Sequence, residues 1–264
     1  MAVPRFFSKP QPEAIYHEGD ETHFSFEESD LHHMSHVMRV NVGEQIEIVV
    51  RDTWQALLVE VVSFENDMLK ARIVKVLSRS ETSSTVGLFF GLSKGDKNDT
   101  IVRQAVEIGA DELFPCLFER SVVKLDEKKT ATRHARLEKI AQSAAQQAHR
   151  SAIPKVAAPA ALTSQGMHDA LASFDVLFVL WEETREHTLT KLVEKACESD
   201  SAPRRFGCVV GPEGGITQKE IDYLVGLGAQ TASLGPTILR VDTANAVTLG
   251  VLCSILFERE LDHE

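Results

Sequence analysis

Two glycine turns in the last third of this 264-residue chain carry residue types that can hold a ligand. The first lies in "VVGPEGGITQKEI", residues 209–221; the second is "LGPTILR", residues 234–240. Phe206–Val210 reads as a short apolar strand, and Thr217 with Glu220 forms a Thr-x-x-Glu capping box that opens a helix. Residues 211–215 are therefore a strand-to-helix loop. Glycine there permits φ > 0 and lets a ligand approach backbone with no Cβ in the way. Amides at the following helix N-terminus favour an electron-rich ligand edge. The second turn also follows a strand-like segment, "TASL". In an open parallel sheet ligands bind beyond the carboxyl ends of strands, so the two turns can wall one pocket. The first loop alone is equally a well-made turn. Together the two support a small-molecule site.

Other chemistries find little support. "GLGAQT" (226–231) lacks the third glycine of a dinucleotide fingerprint and follows a helix rather than a strand. "GLSKGDKND" (91–99) lacks P-loop spacing. His32 and His36 are an i, i+4 pair beside His33, but no nearby Cys or carboxylate completes a metal set, so an exposed helix face is expected and no metal. Cys116, Cys197, Cys208 and Cys253 form no C-x-x-C pair, which suits a reducing cytoplasm. The first residues lack a signal-peptide apolar core, and no apolar run approaches the ~18 residues of a membrane span. The expectation is a cytoplasmic protein with no membrane contact. Simple hydrolase and zinc deaminase motifs are missing.

Net charge is −11, yet its distribution is uneven. Residues 94–155 alone are basic, with 12 Lys/Arg against 9 Asp/Glu, or +3. Because screening confines charge effects to about 8–10 Å, a local basic zone can steer a polyanion. Solvated helix faces explain the same charges.

Residues 1–78 read as β-rich, with strands at Ile46–Val50, Ala56–Val62 and Leu69–Val76 and a short helix in "ESDLHHMSHVMRV". "SRSETSS" (78–84) is a polar linker. After it strands and helices alternate: strands at 85–92, 112–117, 175–181 and 206–210, helices at 99–108, 131–149, 185–198, from 217, and 242–258. Short continuous apolar strands between helices predict an α/β domain, 79–264, with a mostly parallel sheet and helices on both faces. "TANAVTLGVLCSILF" in the last helix is apolar almost all round, so it should be buried on every side, in part by a second subunit. A homodimer follows.

Several blocks resemble the ribosomal RNA small-subunit methyltransferase E family of SPOUT methyltransferases. They are "RFF", "HHMSHVMRVNVGEQIEI", "GLSKGDKNDTIVRQAVEIGADELFPCLFERSVV", "KIAQSAAQQAHRSAIPKV", "VVGPEGGIT" and "LGPTILRVDTA". The resemblance implies a trefoil-knotted catalytic domain that dimerises and a PUA-like N-terminal RNA-binding domain (1–78). It implies S-adenosyl-L-methionine (SAM) as methyl donor and N3 of a uridine in 16S rRNA of the small ribosomal subunit as acceptor.

By the same resemblance Leu180, Gly211, Pro212, Glu213, Gly214, Gly215, Leu234, Gly235, Ile238, Leu239 and Arg240 would surround SAM. Arg240 and Arg150 are candidates to stabilise charge developing on the uracil oxygens, and Asp242 to take the N3 proton or orient an arginine. Arg5, Arg39, Lys94, Arg120, Arg133, Arg136 and Arg150 are the candidate RNA contacts. The sequence departs from the family pattern at Gln104 (usually Lys), at Gln146 and His149 in "QQAHR" (usually EQ-x-GR), and at Val241 and Asp242 in "ILRVDTA" (usually ILRTETA). A non-catalytic rRNA-binding module on the same fold, or methyl transfer to a different nucleotide, are the alternatives.

Overall fold

The computed structural model describes residues 3–11, 15–51, 53–65, 68–78, 80–123, 126–198 and 205–263. The chain divides into two compact units: Met1–Glu81 with Ala145–Ile153, and Thr82–Ala144 with Pro154–Glu264. The first therefore takes in a segment that the sequence assigns to the second domain.

In the first unit, strands β1 (Arg5–Ser8), β2 (Glu21–Ser25), β3 (Gln45–Val50), β4 (Gln55–Glu65) and β5 (Met68–Leu77) form a sheet of order β1-β3-β4-β5-β2. β1 pairs with β3 in parallel and the other neighbours are antiparallel. Alternating Ile46, Ile48 and Val50 on β3 and Leu57, Val59 and Val61 on β4 enter one core with Phe6, Phe24 and Met34. Helix α1 (Glu28–His32) runs into a π-helical turn, His33–Val37, on which His32 and His36 stack at 4.5 Å. The sequence shows β3 to β5 because their apolar runs are long. It hides β1, four residues that begin with a buried arginine, and β2, whose "ETHFS" buries only Phe24.

The returning segment 145–153 is held by side chains. Arg5, expected to contact RNA, is buried; its Nε donates to Glu47 Oε2 at 2.8 Å and its Nη1 to the His149 carbonyl. His149 adopts φ +52, the left-handed region that glycine occupies without strain, and its Nδ1 lies 2.8 Å from Glu47 Oε2. Ser151 and Ala152 donate their backbone N–H groups to Ser80 Oγ and Glu81 Oε1, both at 2.8 Å.

The second unit is built on β6 (Thr85–Gly91), β7 (Glu112–Leu117), β8 (Lys155–Val156), β9 (Ala160–Ala161), β10 (Val176–Leu180), β11 (Arg205–Val210) and β12 (Gln230–Ala232). Their order is β12-β10-β11-β6-β7-β8, with β9 also on β7, and every pairing is parallel. The helices are α2 (Lys97–Ile108), α3 (Glu127–Gln147), α4 (Gln165–Ala172), α5 (Leu189–Cys197), α6 (Gln218–Gly226) and α7 (Val241–His263). Phe89 and Val209 point to a core that holds Met167 and Leu171 of α4 and Ile221 and Leu224 of α6. On the other face α7 packs against β6, β11, α2 and α5. α4 and the short β8 and β9 have no counterpart in the sequence pattern.

Within the single chain, helix α7 is buried along one side only. Asn245, Thr248, Leu249, Leu252 and Leu256 form one buried stripe, while Val247, Phe257 and Leu261 are exposed within the single chain. Val241–Leu261 is also long and apolar enough to cross a membrane by length and composition alone, which the sequence scan did not anticipate. Among the described residues it packs on α2 and α5.

The α4/α6 face depends on one aromatic plug. Phe174 meets Phe89 and Phe114 edge-on, and Arg205 stacks over it at 4.7 Å. A Cβ on Gly87 would lie 2.2 Å from Phe174 Cζ. Gly87→Ala should lower unfolding free energy by ~1–3 kcal/mol, the usual cost of overpacking. Urea denaturation with an unchanged midpoint would show that the ring yields freely.

Candidate functional site

A cleft of about 540 Å³ opens beyond the carboxyl ends of β10, β11 and β12. That is the size of a small-molecule site, at the position where parallel sheets hold ligands. Leu180–Glu183 and Arg185 line it from β10, Val210–Pro212, Gly215 and Ile216 from β11, and Ala232–Leu239 from β12, with Val241 and Ala244 of α7.

The wall after β11 is fixed by its own turn. Gly215 N–H donates to Pro212 O at 2.9 Å, and Gly215 has φ +75. Thr217 caps α6 through the reciprocal box with Glu220. Glu220 also accepts the Glu119 N–H at 2.7 Å, tying α6 to the loop after β7. From that loop Arg120 donates Nη1 to Gly214 O at 3.2 Å. Glu213 accepts from Lys97 Nζ at 2.7 Å and Ser93 Oγ at 3.1 Å. The opposite wall is laced in the same way. Ser233 N–H donates to His187 O at 2.9 Å and Leu189 N–H to Ser233 O at 3.0 Å. Gly235 has φ +134, and a Cβ there would meet no protein atom within 4 Å.

Residues 80–253 match the model of an RNA methyltransferase domain. A curated Bacillus subtilis protein named ribosomal RNA small subunit methyltransferase E is 33% identical over 239 residues, 90% of this chain and 91% of its own length. The chain belongs to the ribosomal RNA small-subunit methyltransferase E family. A family member from Neisseria gonorrhoeae, solved bound to S-adenosyl methionine, superposes with a TM-score of 0.75 at 24% identity, covering 96% of this chain and 98% of that one. A methyltransferase of Legionella pneumophila, solved with its cofactor SAM, gives a TM-score of 0.76 at 24% identity, covering 97% and 98%. At that identity the two structures speak to the fold.

Of the residues the family resemblance assigns to a cofactor, Leu180, Gly211, Pro212, Gly215, Leu234, Gly235, Ile238 and Leu239 line the cleft. Glu213, Gly214 and Arg240 do not. Glu213 faces Ser93 and Lys97 instead, and a Cβ on Gly214 would come within 2.9 Å of the Arg120 carbonyl, so that glycine serves the packing of two loops. Arg240 is exposed between the lining residues Leu239 and Val241, and Asp242 sits in the first turn of α7 outside the lining. Arg150 is not a lining residue either. It belongs to the first unit, buried, with Nε 3.2 Å from Glu81 Oε1.

The RNA candidates divide similarly. Arg5 is a buried strut, Arg120 braces Gly214, and Arg136 pairs with Asp99 and, at 3.3 Å, Asp96. Lys94 and Arg39 are exposed, and Arg133 is half-buried on α3.

Trp181, Glu182, Glu183 and Arg185 line the cleft without having been foreseen. Their signal was position alone, directly after the apolar run of β10. Glu182 Oε1 lies 3.5 Å from where a Cβ on Gly215 would be. Glu182 and Glu183 outnumber the one lining cation, Arg185, so the lining favours a cationic, amphipathic ligand. Cys116 and Cys208 are fully buried, and burial pushes both thiols up, which removes them as nucleophiles. Among the described residues no His, Cys, Asp and Glu side chains cluster as a metal site.

Burial pushes the Glu213 carboxyl up, but hydrogen bonds from Lys97, its own backbone and Ser93 outweigh this and hold it below the usual carboxylate range. A depressed folded value stabilises the fold above the unfolded value of about 4.3, and that contribution is lost as pH falls through the folded value. Glu213→Gln should flatten the acid limb of a thermal-stability profile, modestly because the side chain is partly exposed. An identical acid limb in both proteins would contradict this.

Proposed function

We propose that the protein transfers the methyl group of SAM to N3 of a uridine in 16S rRNA of the small ribosomal subunit. We also propose that it acts as a homodimer of SPOUT-type, trefoil-knotted domains, each with a PUA-like RNA-binding unit in front. The observation that carries this reading is the cleft between the two glycine turns, lined by most of the residues expected around SAM.

The residues present fit SAM on chemical grounds. Gly235 offers bare backbone to open space, and the cleft carries Glu182 and Glu183 against a ligand with an ammonium and a sulfonium charge. When bound, SAM supplies an electrophilic methyl group on a sulfonium. The protein's part is to hold uridine N3 in line with it, which can contribute several kcal/mol. As the N3 proton departs, negative charge spreads onto uracil O2 and O4. A fixed guanidinium stabilises that charge better than water does. Arg240 takes this role, because it stands exposed at the rim of the cleft with no ion-pair partner among the described residues. The Arg150 guanidinium is engaged with Glu81, so the proposal gives it no step. Asp242 in the first turn of α7 is the candidate to accept the proton or orient Arg240.

Incubating the protein with labelled SAM and 30S subunits, then mapping the label by mass spectrometry, tests the reading. The expected product is one N3-methyluridine in 16S rRNA; label on another nucleotide or none would overturn it. Arg240→Ala should slow single-turnover transfer by roughly 10²–10³-fold at saturating SAM and RNA. A near-normal rate would remove Arg240 from the chemistry.

The exposed Val247 and Phe257 on α7, the latter 56% exposed, support burial against a second copy. Phe257→Glu should convert a dimer to monomer in light scattering. A wild-type monomer at micromolar concentration would sink the dimer.

A further inference from the structure

A second cleft, of about 510 Å³, lies within the second unit and shares no lining residue with the first. Asp99 of α2 forms one side, Val123 belongs to the loop before α3, and α3 contributes Lys128, Thr132, Arg133 and Leu137. Val123 and Leu137 are apolar, and the long cationic side chains add aliphatic stems.

Much of the nearby positive charge is already neutralised. Arg136 pairs with Asp99 and Asp96, and Lys129 with Asp126 at 2.9 Å. Arg133 is the exception. Its Nη1 is shut off from solvent and has no hydrogen-bond acceptor among the described residues. Lys128 beside it has no ion-pair partner among them either. A buried cationic donor without an acceptor is destabilising, and turning the half-buried guanidinium onto a ligand oxygen in the cleft would remove that penalty.

We propose that this cleft receives one unstacked nucleotide of the RNA substrate. The base lies against Val123, Leu137 and the arginine stem, with the Arg133 guanidinium turned onto an RNA oxygen and the adjoining phosphate at Lys128. Single-stranded RNA is recognised by such splayed bases, set against apolar or guanidinium surfaces and read at their edges. A free inorganic anion would need only the cations and would leave the apolar floor uncovered. The inference rests on the RNA-substrate reading above and adds to it a contact outside the first cleft.

Full-length protein should be titrated with fluorescently labelled 16S rRNA across a salt series. Arg133→Met, which keeps the stem, should weaken binding about tenfold and lower the log–log salt slope by about 0.7 if the oxygen is a phosphate. Thr132→Trp fills the cleft without changing the protein's charge, so it should weaken binding at least as much, and it should lower the slope as well because the excluded nucleotide takes its phosphate contact with it. Lys139→Met, an exposed cation elsewhere on α3, is the control and should change affinity less than about twofold. SAM affinity by calorimetry should match wild type in all three, and the melting temperature of Arg133→Met should equal or exceed that of wild type because the unpaired donor is gone. Thr132→Trp binding at wild-type affinity, or Arg133→Met no weaker than Lys139→Met, would overturn the nucleotide cleft alone. Wild-type protein that binds no rRNA would overturn both readings.

Discussion

Glu220 accepts three hydrogen bonds in the interior of the second unit, from Thr217 N, Thr217 Oγ1 and Glu119 N. The first two begin α6 and so end the turn that walls the cleft. The third fastens the segment after β7, from which Arg120 reaches the Gly214 carbonyl. One carboxylate, only 6% exposed, thereby sets both the start of a helix and the position of a neighbouring loop. Hydrogen bonds to a buried charge are among the stronger ones, and all three donors would be stranded without it. The close packing around the turn follows from this. At Gly91 a Cβ would sit 2.3 Å from Pro212 N, and at Gly211 one would sit 2.5 Å from Ile216 Cγ1.

Those contacts explain why part of the site was legible in the sequence and part was not. β7 reads residue for residue from "ELFPCL", and the capping box reads from Thr217 and Glu220, because both signals are local. The glycine turns mark the cleft walls for the same reason. Sequence cannot say what each glycine makes room for. Gly235 faces open space, whereas Gly214 makes room for the Arg120 backbone, and the two look alike in a string of letters. Glu182 and Glu183 look like surface carboxylates until β10 is known to end where they begin. The membership of 145–153 in the first unit rests on partners 69 to 144 residues away, such as Glu81 for Arg150 and Arg5 for His149. No local pattern carries that.

Part of the basic zone seen in the charge distribution is committed to ion pairs. Arg136, Lys129 and Arg150 are matched to Asp99, Asp126 and Glu81, and Lys97 to Glu213. An acidic chain with a net charge of −11 is thus left with a few uncommitted cations rather than a broad positive face. Recognition of a polyanion by such a surface depends on where those few cations stand and on the apolar surface beside them. Long-range attraction contributes less.

His149 shows how this chain closes a helix without the usual residue. Glycine takes a left-handed backbone at no steric cost, whereas here a residue with a Cβ, His149, sits at φ +52 with its ring on Glu47 and its carbonyl on Arg5. A conformation that glycine would adopt unaided is upheld by charged neighbours instead. The turn at His149 therefore borrows its shape from Arg5 and Glu47 of the first unit. Without either partner the backbone would bear its own left-handed strain, a dependence that a glycine turn would lack.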